Sequence, residues 1–311
     1  MKALVTGAGG FLGAAVVGAL LERGHSVRAL LRPAAGEAPA QWRGRAEVVR
    51  EDLRALTGAS IFDGVDVVVH LAAMVRGTPE AQFAGTVVTT ERLFSAMRDA
   101  AGPKRVVLAS SFSVYDWTRA RRELTEETPL EERPFERDGY AIAKLWQERV
   151  ALRFAAENGW TLCVLRPGFI HGPGGPIVAG AGMRLGRAFV VVAPFARLPL
   201  THVTTCAAAF ADAAEKAVHG IYNLVDDERV SAWRYAGRLV NEGTASFRIP
   251  LPYILGLGLA HAANGTSRLL FPPQGGKLPG VLIPRRYRAR FRPLRFVNAR
   301  AKSELGWKAA P

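Results

Sequence analysis

Lys2-Ala3-Leu4-Val5-Thr6-Gly7-Ala8-Gly9-Gly10-Phe11-Leu12-Gly13 opens the chain. An apolar run enters a glycine-rich turn. Val16, Val17, Leu20 and Leu21 then place one apolar stripe on a helix over residues 11–23. Gly24 ends that helix, and residues 26–31 read as a second strand. Such a strand–turn–helix–strand unit lets backbone N–H groups approach a pyrophosphate, with the helix dipole favouring the anion. Thr6, Gly7, Gly10, Phe11, Leu12 and Gly13 are therefore the candidate dinucleotide cradle. Their glycines recur every three residues, unlike the G-x-G-x-x-G of many dinucleotide sites. A plain tight turn is the alternative.

Working outward, further strands are expected at 47–50, 65–70, 105–110, 161–166 and 220–225. Helices are expected over 86–101 and 139–157. Strands alternating with helices predict an α/β fold: a Rossmann-type doubly wound parallel sheet covered on both faces. The expected division is a dinucleotide-binding unit over 1–167, rejoined by 200–225, and a smaller C-terminal substrate domain over 168–311. Residues 168–182, rich in Gly and Pro, read as a loop over the site. Residues 272–293 form a proline-punctuated segment.

The end of the second strand bears on NADP against NAD. An acid there would bond the adenosine ribose and repel a 2′-phosphate. The chain has Leu30-Leu31-Arg32-Pro33, and Arg32 is placed to pair with a phosphate. NADP(H) is favoured and NAD(H) remains open, as does a solvated arginine. Asp52-Leu53 follows the third strand, where an acid can contact adenine or merely cap a loop.

Tyr140 and Lys144 stand four residues apart, on one face of a helix. A nearby ammonium favours the phenolate and would lower the tyrosine pKa. Tyr140 could then trade a proton with an alcohol or ketone, and Lys144 could also bond a nicotinamide ribose. A hydroxyl at a strand end should hold the substrate oxygen beside it. Ser111 is the first candidate in Ser110-Ser111-Phe112-Ser113, and Ser113 the second. Ser110 is expected to be buried in the strand. All three hydroxyls could instead satisfy local backbone groups.

With these residues in place, the chain resembles the extended short-chain dehydrogenase/reductases of the NAD-dependent epimerase/dehydratase family. The resemblance runs over nearly the full length. It rests on Thr6-Gly-x-x-Gly-x-x-Gly13, Asp52-Leu53, His70-Leu71-Ala72-Ala73, Ser110-Ser111 and Tyr140-x-x-x-Lys144. It continues in Arg166-Pro167-Gly168, Gly172-Pro173-Gly174 and Leu305-Gly306-Trp307. It implies Ser111, Tyr140 and Lys144 in catalytic roles. It also implies cofactor contacts from Leu71, Ala72, Ala73 and Pro167, and often a homodimer through the Tyr140 helix. Phe169, His171 and His202 join Ser113 as candidate substrate contacts.

Two departures are visible. Thr86 stands where many members have asparagine, and His171-Gly172-Pro173 where many have Tyr-Gly-Pro. Dehydratases similar to this chain carry an Asp-Glu pair after the catalytic hydroxyl. Phe112 and Ser113 occupy those places, which disfavours dehydration. The resemblance thus points to a reductase or dehydrogenase acting on a bulky hydrophobic ketone or alcohol, in the 3β-hydroxysteroid dehydrogenase or dihydroflavonol reductase manner. A nucleotide-sugar epimerase or reductase is the alternative. A non-catalytic dinucleotide sensor or assembly protein is a second.

The chain has 311 residues and a formal net charge of +14. Residues 243–303 contain no Asp or Glu and eleven cations, from Arg248 to Lys302. Three readings compete for this stretch. The arginines could bind a substrate diphosphate. Arg285, Arg286, Arg288, Arg290, Arg292 and Arg295, with apolar 249–260, could rest on an anionic membrane surface. Or they could form a solvated face or cover acids elsewhere. Nucleic-acid binding lacks any recognition motif. No apolar run reaches the length of a membrane span, and no signal-peptide pattern precedes the glycine loop. A cytoplasmic protein is expected, with membrane-peripheral contact as the alternative. Cys163 and Cys206, in apolar surroundings, are expected to be inert, and no metal-ligand pattern occurs.

Overall fold

The structure is a computed structural model that describes residues 1–56, 58–100, 102–271 and 278–310. Seven strands form the main sheet: β1 (Lys2–Thr6), β2 (Ser26–Leu31), β3 (Ala46–Arg50), β4 (Val67–His70), β5 (Arg105–Ala109), β6 (Thr161–Pro167) and β7 (Gly220–Leu224). Their order is β7-β6-β5-β4-β1-β2-β3, and every pairing is parallel. The fold is therefore Rossmann-like, with the order reversing between β1 and β4. Ligands bind outside the carboxyl ends of the strands at such a reversal.

Burial on both faces explains the near-continuous apolar runs of the central strands. The four residues of β4 are all buried, whereas edge strand β3 is largely exposed. Helices α1 (Phe11–Glu22) and α4 (Val203–Lys216) cover one face, through Val16, Leu20, Phe210 and Ala214. Helices α2 (Thr89–Asp99) and α3 (Gly139–Asn158) cover the other, through Leu93, Phe94, Val150 and Phe154. Asp138 caps α3 by accepting the Ala141 N–H at 3.0 Å, and Gly159 ends it at φ 64°.

Several boundaries differ from the sequence reading. A π-helical turn, Ala84–Val88, precedes α2, and Ala101 lies outside the described residues. The expected loop 168–182 contains a strand, Phe169–His171, paired in parallel with Leu200–His202. The C-terminal unit holds the strands Gly182–Leu185, Ala188–Val192 and Phe247–Leu251. It also holds α5 (Ala232–Asn241), α6 (Tyr253–Leu270) and α7 (Pro284–Phe291). The chain then crosses back. Arg295–Phe296 pairs with Glu123–Leu124, and Ala301, Leu305 and Trp307 join the core under α1 and α4. Beyond the expected return of 200–225, residues 295–307 thus also pack with the first unit.

Burial pushes the Cys163 thiol up to about 12 and the Cys206 thiol higher still. No helix among the described residues is long and apolar enough to cross a membrane.

The acid-free stretch turns much of its charge inward, because it packs against acids at 116–136. Arg285 pairs with Asp116 at 2.9 Å and with Glu131, both carboxylates being buried. Arg292 donates to the carbonyls of Trp117 and Thr118. Arg295 pairs with Glu123 at 3.0 Å, and Lys302 with Asp227. Of the six arginines that the membrane reading placed on a lipid surface, Arg285 and Arg292 are thus held against the sheet unit. Arg288 and Arg290 form no ion pair among the described residues. Lys277 and the first part of the proline-punctuated segment lie outside the described residues.

Candidate active site

The glycine turn leaves β1 at the strand-order reversal. Gly7 has φ 67°, and a Cβ there would lie 2.9 Å from the Ala72 nitrogen. A Cβ on Gly13 would lie 2.1 Å from the Gly7 oxygen. Both positions must be glycine for the loop, α1 and residues 71–72 to close together. Gly10 caps α1 with no side-chain bond, and Gly9 and Gly10 are exposed. The helix N-terminus thus presents backbone donors to the crevice, with Phe11 and Leu12 half-buried behind them. This cradle fits a dinucleotide pyrophosphate.

Thr6 organises the wall beside it. Its hydroxyl accepts the N–H groups of Leu71 and Ala72 at 3.2 and 3.3 Å and bonds His70 Nδ1 at 2.7 Å. Ala73 is half-buried next to them. Arg32 is exposed just past β2; its carbonyl accepts the Ala35 N–H at 2.9 Å, and its side chain forms no hydrogen bond or ion pair among the described residues. Asp52 sits at the end of the neighbouring strand, within the electrostatic reach of Arg32. Its carboxylate is held by Arg54 at 2.7 Å and caps the turn that buries Leu53. The Arg54 bond holds that carboxyl below the usual range.

Ser111 follows β5 in extended conformation, and Tyr140 lies in the first turn of α3. The Ser111 side chain is near enough to act on the Tyr140 hydroxyl. The Ser111 oxygen accepts the Ser113 N–H at 3.1 Å. Burial pushes the Tyr140 hydroxyl up to about 12; Ser111 opposes this and Asp138 adds to it. The sequence reading gave the lowering role to Lys144. In the structure Lys144 is buried, and its Nζ donates to the Ala109 carbonyl at 2.7 Å and to Gln147 Oε1 at 2.9 Å. Burial pushes Lys144 down to about 7, with Glu148 opposing.

The other hydroxyls separate cleanly. Ser110 is buried and donates to Glu148 at 2.5 Å, and Glu148 in turn holds the buried Arg166. Ser113 is the unresolved one: its Oγ is buried with no hydrogen-bond partner among the described residues. Pro167 ends β6. Phe169 packs onto Gly180, where a Cβ would lie 2.3 Å from its ring. His171 and His202 meet edge to face at 5.2 Å, with His171 Nε2 3.7 Å from Asp226. His202 also caps α4, its Nδ1 lying 2.8 Å from Thr204 Oγ1. The loop beyond His171 reaches the glycine turn, because a Cβ on Gly175 would lie 2.7 Å from the Phe11 ring.

The sequence reading missed the layer beneath these groups. Gln147 Nε2 donates to Ala72 O at 3.1 Å and to Thr90 Oγ1 at 2.9 Å. His70 Nε2 lies 2.8 Å from the same Thr90 oxygen. Gln147 therefore ties Lys144 to the wall of the cradle. Its place three residues after Lys144, on the same helix face, was the available signal. His70 is held neutral, pushed down to about 3 by burial and by Lys144. Thr86, at the place of the common asparagine, accepts the Met74 N–H at 3.0 Å and so braces the loop after β4. Among the described residues no group of His, Cys, Asp and Glu could hold a metal ion.

Residues 3–224 match the model of the NAD dependent epimerase/dehydratase family. The chain belongs to this family. Among its relatives is the 4-hydroxy-2-methyl-3-oxo-4-farnesyl-3,4-dihydroquinoline-1-oxide ketoreductase of Stigmatella aurantiaca. It is 34% identical over 174 residues, covering 55% of this chain and 51% of the relative. The 3beta-hydroxysteroid-dehydrogenase/decarboxylase isoform 1 of Arabidopsis thaliana is 27% identical over 284 residues, covering 85% and 63%. These matches thus span between half and two thirds of the relatives' own length. The structure of MoeE5 in complex with UDP-glucuronic acid and NAD shares the fold. Its TM-score is 0.71 at 23% identity, covering 100% of this chain and 94% of that one.

Proposed function

We propose that this chain is an NAD(P)-dependent oxidoreductase interconverting a ketone and a secondary alcohol on a bulky, hydrophobic substrate, with NADP(H) favoured. The observation that carries this reading is that the end of β5 and the first turn of α3 bring Ser111 and the buried Tyr140 hydroxyl together. It stands beside a glycine cradle that a side chain would fill. A nicotinamide bound there supplies or takes up the hydride. Ser111 holds the substrate oxygen; Tyr140 gives that oxygen its proton in reduction and removes it in oxidation. Lys144 and Gln147 fix the geometry of the site from below.

Two features favour simple hydride transfer over elimination. Phe112, directly after Ser111, is buried against Phe296, and Ser113 carries no acid. No carboxylate follows the catalytic hydroxyl to protonate a leaving hydroxide. The ketoreductase and hydroxysteroid dehydrogenase names of the relatives support a hydrophobic substrate.

A substrate panel tests this. Steroid and alkyl ketones should oxidise NADPH in the presence of the protein, while UDP-, GDP- and dTDP-sugars should leave its melting temperature unchanged. Sugar-induced stabilisation without ketone turnover would instead identify a nucleotide-sugar enzyme. NADPH binding with no turnover on either class would point to a non-catalytic role.

A further inference from the structure

Helix α6 is apolar on the side that faces away from the protein. Its inward stripe, Gly256, Ala260 and Ser267, is buried. Tyr287 of α7 seats against Gly256, where a Cβ would lie 2.1 Å from the tyrosine oxygen, and donates to the Tyr253 carbonyl at 3.1 Å. The opposite stripe carries Ile254, Leu255, Leu259, Leu269 and Leu270, between 53% and 80% exposed. These positions share an outward arc of the helix and lie in its first and last turns, with exposed Ala262, Gly265 and Thr266 between them. Phe271 continues the apolar surface at 60% exposure. The strand leading into α6 adds Phe247 and Ile249, also exposed. A soluble surface helix would normally put charge there.

The charge beside this face has one sign. Arg268 lies in the last turn of α6. Arg288 and Arg290 follow Tyr287 in the last turn of α7, and neither forms an ion pair among the described residues. No acid occurs between residues 243 and 303. A protein partner or a second copy would need no such excess of unpaired cations, whereas anionic headgroups beside acyl chains complement both features. α6 is not apolar enough to cross a bilayer, its C-terminal half carrying Asn264, Thr266, Ser267 and Arg268. We infer that α6 lies flat on an anionic lipid surface, its leucine face in the acyl boundary and Arg268, Arg288 and Arg290 at the phosphates. This docking does not depend on which substrate the active site takes.

Co-sedimentation of the full chain with vesicles tests the inference. Vesicles of phosphatidylcholine with one part in four phosphatidylglycerol should pellet the protein, pure phosphatidylcholine should not, and added salt should release it. The double variant Leu255→Glu, Leu259→Glu should lose at least tenfold in binding while keeping its melting temperature, since both side chains are exposed. Replacing Arg288 and Arg290 by Gln should weaken binding by about fivefold for each arginine removed. Equal binding to neutral and anionic vesicles, or none, would overturn the inference. So would full binding by either variant. A dimer in light scattering that Leu259→Glu splits, with no vesicle binding, would assign the face to a second copy instead.

Discussion

Tyr140 sets the pH behaviour expected of the site. Its hydroxyl is pushed up to about 12 by burial, so it stays protonated at neutral pH. Reduction needs that proton; oxidation needs it gone. Tyr140 itself should therefore put no break in kcat/KM for ketone reduction between about pH 6 and 9, any break near 7 belonging to Lys144, while kcat/KM for alcohol oxidation rises with pH. A further tenfold-per-unit fall within this range would place the tyrosine pKa far lower. The tyrosine, its serine and its lysine were legible because their spacing on a helix and at a strand end is a local property. The direction of the tyrosine shift was not. It depends on burial and on where Lys144 points, and both are set by residues distant in sequence, Ala109 among them. Arg32 makes a separate prediction. Its side chain is exposed and unpaired just past β2, where the proposed cofactor would place its adenosine, so kcat/KM for NADPH should exceed that for NADH. Arg32→Asp should lower this ratio at least tenfold, as expected for loss of about 1.5–3 kcal/mol in a charge-assisted bond. A ratio below one in the unmodified protein would contradict the assignment.

At the scale of elements, the glycine turn is held by backbone contact rather than by side chains. A methyl group at Gly13 would meet the Gly7 carbonyl at 2.1 Å, so α1 cannot keep its distance from β1. Gly13→Ala should raise the Kd for NADPH at least about tenfold in a fluorescence titration, or about 1.4 kcal/mol. Unchanged affinity would mean that the turn does not hold the pyrophosphate. The strand-turn-helix unit was readable because its apolar periods of two and 3.6 are written in adjacent residues. The start of α2 was not, because the π-turn at Ala84–Val88 follows from threonine hydroxyls bonding backbone carbonyls, Thr89 and Thr90 both donating to Thr86 O.

For the whole molecule, part of the acid-free tail's charge is met by the acids at 116–136 across a long sequence separation. Asp116 and Glu131 are buried, with Arg285 bridging them and Arg137 closing the group at 3.0 Å from Glu131. Removing Arg285 leaves buried carboxylates short of a partner, and Arg285→Met should cost about 3 kcal/mol in a denaturant titration. No measurable loss would mean that solvent reaches these groups. The charge asymmetry was visible in the sequence, but its partition was not. Which arginines meet acids and which stay free depends on α7 docking beside residues 116–136, a contact that no local pattern encodes. The crossing of the tail back into the sheet core through Trp307 is hidden for the same reason.

The most direct test is Tyr140→Phe, assayed for NADPH-dependent turnover on a working ketone alongside NADPH affinity. The hydroxyl is the proton carrier in this account and the cradle is elsewhere. Turnover should therefore fall by about 10²–10⁴-fold with NADPH affinity within a few-fold of the unmodified protein. Unchanged turnover would contradict the catalytic assignment of Tyr140 and, with it, the proposed reaction.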